Sequence, residues 1–216
     1  MSERETRIGS APWATVAFAT GFGYFEAACV AYLRRLQDLG QLPITATAGD
    51  NPLLAIEMGR EAVSLVLLVT LAWVAGRGSR ERVGHLLLAF GIWDILYYVF
   101  LRVLIGWPTS LLDGDILFLI PVPWYGPVAT PVLCSLVLVA AGWGTLALEH
   151  EGRRVRSSGL DLTLFAAGWV LVLASFLWNG GARSPDEVKF PWALFVVGWI
   201  AGAAGVARAL SRASRD

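Results

Sequence analysis

Six long apolar stretches, separated by short polar segments, divide this chain. They run over residues 12–33, 53–76, 84–107, 126–148, 160–178 and 191–210. Each is near the roughly 20 residues a helix needs to cross a bilayer core. Arg34 and Arg35 close the first, and Pro52 suits the first turn of the second, where its missing N–H would be unpaired anyway. The apolar run from Ile116 to Leu148 is too long for one span. Pro121, Pro123, Pro127 and Pro131 rule out a regular helix through its first half. It divides into an interfacial or re-entrant segment over 116–125 and a span over 126–148, because irregular backbone at membrane depth needs protein or a water cavity around it. The expected fold is a single all-α integral membrane domain over 1–216, a bundle of six transmembrane helices with a Pro-broken segment between spans three and four. Residues Met1–Ser10 lack a basic leader, and the first apolar run is too long for a signal peptide, so an uncleaved first span is expected.

Charges inside these spans need a physical reason. Glu57, Arg60, Glu61 and Ser64 recur at intervals of three and four, so a helix places them on one face. From the helical rise, Glu57 lies about 8 Å and Glu61 about 14 Å below the outer end of span two, and Glu26 about 12 Å below that of span one. Asp94, Tyr98 and Arg102 are spaced four apart on span three and share a face at comparable levels. Consecutive spans are usually neighbours, so these groups can meet in the outer half of the membrane.

Four carboxylates, Glu26, Glu57, Glu61 and Asp94, would then face two guanidinium groups, Arg60 and Arg102. Buried net charge is costly, so either protons or a cation must neutralise it. The four acids are therefore candidate proton- or cation-binding residues, with Arg60, Arg102 and Tyr98 tuning charge and geometry. An all-oxygen set would suit a hard divalent metal cation, which makes Glu26, Glu57, Glu61 and Asp94 candidate metal ligands. The plainer alternative is that Arg60 pairs with Glu57 or Glu61, and Arg102 with Asp94, merely to fix helix packing. Tyr97 reads as a packing residue, and Asp113 and Asp115 as solvated loop acids.

Composition supports the membrane class. The chain is 56% hydrophobic and 16% charged, well under the roughly 25% charged of a soluble domain. A net charge of zero points to no nucleic-acid partner. Sixteen of the seventeen basic residues are Arg, and Ala and Gly are abundant, which points to a GC-rich bacterial genome. Eleven basic residues fall in the termini and the second and fourth loops, against four in the other loops. That asymmetry places both termini in the cytoplasm of a cell whose inner membrane holds the protein. Gly198 and Gly202 form a GxxxG pair that would let another helix approach, so a homo-oligomer or membrane complex through that face is expected beside the lipid bilayer itself. Cys29 and Cys134 read as small hydrophobes. His85 and His150 could face one another as haem ligands, but unrelated border histidines are the commoner case and no haem is expected. No span contains Lys, which excludes a retinal Schiff base, and no Walker A, GxSxG, HExxH or CxxC motif is present.

The function this supports is binding or translocation of a cation or protons through a carboxylate pocket open to the outside. The alternatives are a membrane-embedded enzyme acting on a lipid or hydrophobic metabolite, and a structural or assembly subunit of a membrane complex.

Overall fold

The computed structural model describes residues 3–38, 52–178 and 189–215. Most of the polar loops after spans one and five, Arg183 included, lie outside the described residues. Among the described residues six helices are long and apolar enough to cross a membrane. They are α1 (Glu3–Asp38), α2 (Pro52–Ala75), α3 (Ser79–Ile105), α4 (Ala129–His150), α5 (Gly159–Leu177) and α6 (Trp192–Ser211). The protein is a multi-pass helical membrane protein.

Local chemistry sets the helix ends. α2 opens on Pro52. α3 ends at Gly106, whose φ of 73° is the left-handed conformation open to glycine, and whose N–H returns to the Arg102 carbonyl. Ser158 and Asp161 form a reciprocal capping box at the start of α5. The boundaries differ from the sequence expectation by a few residues at most ends, and α1 extends further.

α3 is the central helix, packed against α1, α2 and α4, while α5 and α6 form a close pair. Small residues allow the tightest approaches. A Cβ on Gly91 would lie 2.7 Å from the Ser135 carbonyl, and one on Gly142 would lie 2.5 Å from the Leu88 amide, so α3 and α4 meet backbone to backbone. A Cβ on Gly168 would lie 2.4 Å from the Gly202 amide, and one on Gly198 would lie 2.7 Å from the Gly168 carbonyl. The Gly198/Gly202 face is therefore occupied by α5 of the same chain. The close approach that the glycine pair allows is made within the chain.

The Pro-rich connection after α3 takes a form that the apolar run does not announce. It is an antiparallel hairpin of β1 (Gly114–Phe118) and β2 (Trp124–Pro127), with Asp115 opposite Gly126 and Ile116 opposite Tyr125. The segment over 116–125, expected to be interfacial or re-entrant, takes this hairpin form, and span four begins at Ala129 rather than 126. Pro121 and Pro123 fall in the turn and Pro127 at the strand end, where a missing donor does least harm.

The hairpin wedges between two apolar clusters. Phe118 packs on one built from Ala19, Phe22, Leu68, Ala89 and Trp93. Leu117 and Trp124 pack on another built from Cys134, Val172, Phe176 and Phe195. The register is irregular between Ile116 and Phe118, where Leu117 has no partner on β2, and Leu117 and Phe118 serve different clusters.

Candidate functional site: an acidic cavity under the hairpin

Helices α1, α2 and α3 and strand β1 enclose a cavity of about 60 Å³. Its polar lining consists of Glu26, Arg60, Glu61, Asp94, Tyr97, Tyr98 and Asp115, and Trp93 and Phe118 complete the wall. That volume holds small species only.

α2 supplies one wall through the predicted stripe. Arg60 lies between two acids: it forms an ion pair with Glu26 of α1, and its Nε donates to Glu57 Oε2 at 2.9 Å. The Ser64 hydroxyl donates to the other oxygen of Glu26 at 2.7 Å. Glu26 is 1% exposed, so this polar tie is buried among apolar helices. Glu61 lies one turn on, lines the cavity, and accepts the Leu119 backbone N–H at 2.9 Å. It thereby fastens the hairpin to α2. Glu57 stands on the far side of Arg60 and does not line the cavity.

α3 supplies the opposite wall. Asp94 accepts the Ser135 hydroxyl of α4 at 2.8 Å. The close approach at Gly91 makes this reach available, because it brings the α4 backbone at Ser135 against α3. One turn further, the Tyr98 hydroxyl donates to Asp115 Oδ2 at 3.0 Å. Asp115 also has Arg34 of α1 at 3.9 Å, and that guanidinium lies over the Trp107 ring, 4.0 Å from its centre. Burial pushes the Asp115 carboxyl up to about 6, against the lowering effects of Tyr98 and Arg34. The Trp93 indole N–H, buried beside the cavity, has no acceptor among the described residues.

The structure thus brings Glu26, Arg60, Glu61, Asp94 and Tyr98 around one space, with Glu57 attached through Arg60. Arg102 is a correction. It is exposed and donates to the Gly106 carbonyl at the helix end, so it does not pair with Asp94. Asp115 is a second: it reads as a solvated loop acid, yet its side chain is only 13% exposed and forms part of the wall. Its neighbour Asp113 is half-buried, and hydrogen bonds from Thr109 and Ser110 hold its carboxyl below the usual range. Tyr97 lines the cavity as well as packing. His85 is hydrogen-bonded to Thr15 of α1 at 2.8 Å, toward the other end of α3.

The metal reading of Glu26, Glu57, Glu61 and Asp94 also needs correction. Among the described residues no three of His, Cys, Asp and Glu come close enough to hold a metal ion. Each acid is turned to its own donor, and Arg60 occupies the space between Glu26 and Glu57. No known protein family, characterised protein or solved structure matches this chain, so the site is read from its own geometry.

Proposed function

We propose that this protein takes up protons into the acidic cavity from the hairpin side of the membrane, as a proton-binding or proton-translocating unit of the bacterial inner membrane. The observation that carries this reading is the charge imbalance. Four carboxylates (Glu26, Glu61, Asp94 and Asp115) line the cavity against one guanidinium group, Arg60, while Glu57 pairs with Arg60 from behind and Arg34 stands 3.9 Å from Asp115. In an apolar bundle that excess is relieved most simply by protons on the acids that Arg60 does not pair, Glu61, Asp94 and Asp115.

The arrangement favours protons over a metal ion. A cation needs several oxygens converging on one point. Protons can be taken one at a time by acids each held by a separate donor, as Glu61, Asp94 and Asp115 are by Leu119, Ser135 and Tyr98. Asp115 lies outside the membrane-spanning helices and offers the first acceptor, while Asp94 lies one turn deeper than Tyr98. Arg60 and Glu26 form the fixed wall.

The test is flux in liposomes loaded with a pH-sensitive dye. Wild-type protein is expected to speed the decay of an imposed pH gradient, and Asp94→Asn to slow it about a hundredfold, the low end of the range for a positioned proton-transfer group. Equal rates for protein-containing and empty liposomes would sink the proposal. A flux that follows Na⁺ or K⁺ instead of pH would replace protons with that cation.

A further inference from the structure

At the opposite end of the bundle, where α4 ends and α5 and α6 meet, lies a second polar cluster that the cavity does not use. Strand β3 (Arg153–Arg154) pairs with β4 (Ser214–Arg215), so the chain after α6 is stitched to the turn between α4 and α5. Arg153 reinforces the stitch by donating to the Ala213 carbonyl at 3.1 Å. Gly205 lets α6 lie against the first turn of α5, because a Cβ there would come within 2.8 Å of the Asp161 carbonyl.

Asp161 is 2% exposed and organises what surrounds it. One oxygen accepts the Ser158 N–H and hydroxyl, and the other accepts Arg208 Nε at 2.9 Å. Arg212 Nε stands 3.8 Å from the same carboxylate. Both arginines are held by Nε, while their side chains are 41% and 50% exposed. Arg208 lies in the last turn of α6 and Arg212 caps the helix, so both reach the same carboxylate. A buried carboxylate cannot meet an outside ligand, so here it aims two guanidinium groups at the surface. Glu151 pairs with Arg153 at 3.3 Å, and Glu149 faces Arg80 at 4.0 Å. The local balance stays positive, with three guanidinium groups against Asp161 and Glu151. Guanidinium groups offer paired donors that match phosphate oxygens. At the border of a membrane-spanning bundle, the phosphate group within reach is that of a lipid.

The geometry points to a binding site for the phosphate of an anionic phospholipid, formed by Arg208 on α6 and Arg212 at its C-terminal cap, with Arg153 beside them. It is independent of the cavity and of proton uptake. Each of the three arginines keeps donors beyond those used within the protein, and the β3–β4 stitch holds them at one rim.

Thermal unfolding of the detergent-solubilised protein, titrated with phosphatidylglycerol, phosphatidylcholine or inorganic phosphate, tests this. Phosphatidylglycerol is expected to raise the melting temperature more than phosphatidylcholine, with inorganic phosphate giving little shift at equal concentration. R153Q and R212Q should each weaken the phosphatidylglycerol effect about tenfold, the factor expected for losing one charged hydrogen bond. R212K, which keeps the charge but loses the planar pair of donors, should weaken it by less. Should R212Q fail to fold, R153Q and R212K carry the same comparison. Equal shifts from the two lipids would overturn the site, as would an undiminished phosphatidylglycerol shift in R153Q. A shift reproduced by inorganic phosphate would overturn the lipid assignment in favour of a soluble phosphate.

Discussion

Between α5 and α6 the backbones touch. Gly168 opposes Gly198 and Gly202, and any side chain at Gly168 would collide with main-chain atoms. Between α2 and its neighbours, polar side chains make the join: Arg60 to Glu26, Ser64 to Glu26, and Glu61 to the Leu119 amide. Two ways of holding helices together thus coexist in one bundle. Lipid gives helices no hydrophobic reason to associate, so close packing of small residues or interhelical polar bonds must do it. Polar ties leave a cavity lined by titratable groups. The cavity lies in the half where side-chain ties, rather than backbone contact, join α2 to its neighbours.

The contrast can be broken at several points, beginning with the largest effect. Arg60→Ala leaves Glu26 buried without its partner and should cost about 3–5 kcal/mol, as for one half of a buried ion pair. Adding Glu26→Gln should recover much of that, since removing both partners is far milder than removing one. Thermal unfolding in detergent reads both, and a double variant no more stable than the single would contradict the tie. Gly168→Ala places a Cβ 2.4 Å from the Gly202 amide and should cost about 1–3 kcal/mol by overpacking. It should leave proton uptake at the cavity unchanged in whatever protein folds. Altered uptake in that variant would show that the halves are coupled.

Smaller effects sharpen the picture. Ser135→Ala removes the hydroxyl that Asp94 accepts from and should cost about 1 kcal/mol, the scale of a single interhelical hydrogen bond. It should also shift the pH at which Asp94 takes its proton, which infrared titration reads. Asp115 makes a weaker but directional prediction. Burial raises its carboxyl from 3.8 to about 6. Between those values the native protein holds a proton that the unfolded chain has released, so this group lowers stability as pH rises through that window. Arg34 opposes the shift. Arg34→Gln should therefore move the Asp115 midpoint upward, and a midpoint moved downward would refute the contact.

Much of this organisation is legible in the sequence. The six spans follow from apolar length alone, and the spacing of Glu57, Arg60, Glu61 and Ser64 puts them on one helix face whatever the tertiary fold. Periodicity also groups Asp94 with Tyr98. Arg102 shares that spacing, but it sits in the last turn before Gly106, where the free carbonyl at the helix end captures it. That geometry has no signature in spacing. The hairpin is hidden because Ile116–Val122 is continuously apolar, lacking the alternation that marks a strand with one wet face. The only local signal was an acid, Asp115, directly before that run. Ser135 and Arg34 become visible only when the helices are assembled, one through the Gly91 contact and the other through Trp107. The GxxxG pair is real small-residue packing whose partner lies within the same chain, which spacing cannot decide.

The most direct test of the central claim is infrared titration of the carboxyl C=O stretch in the purified protein, wild type against Asp94→Asn and Glu61→Gln. Uptake of protons by the cavity predicts a protonated-carboxyl band that persists above the range of ordinary acids, disappears as pH rises, and is diminished in each variant. The absence of such a band in the wild type, or its survival unchanged in both variants, would contradict it.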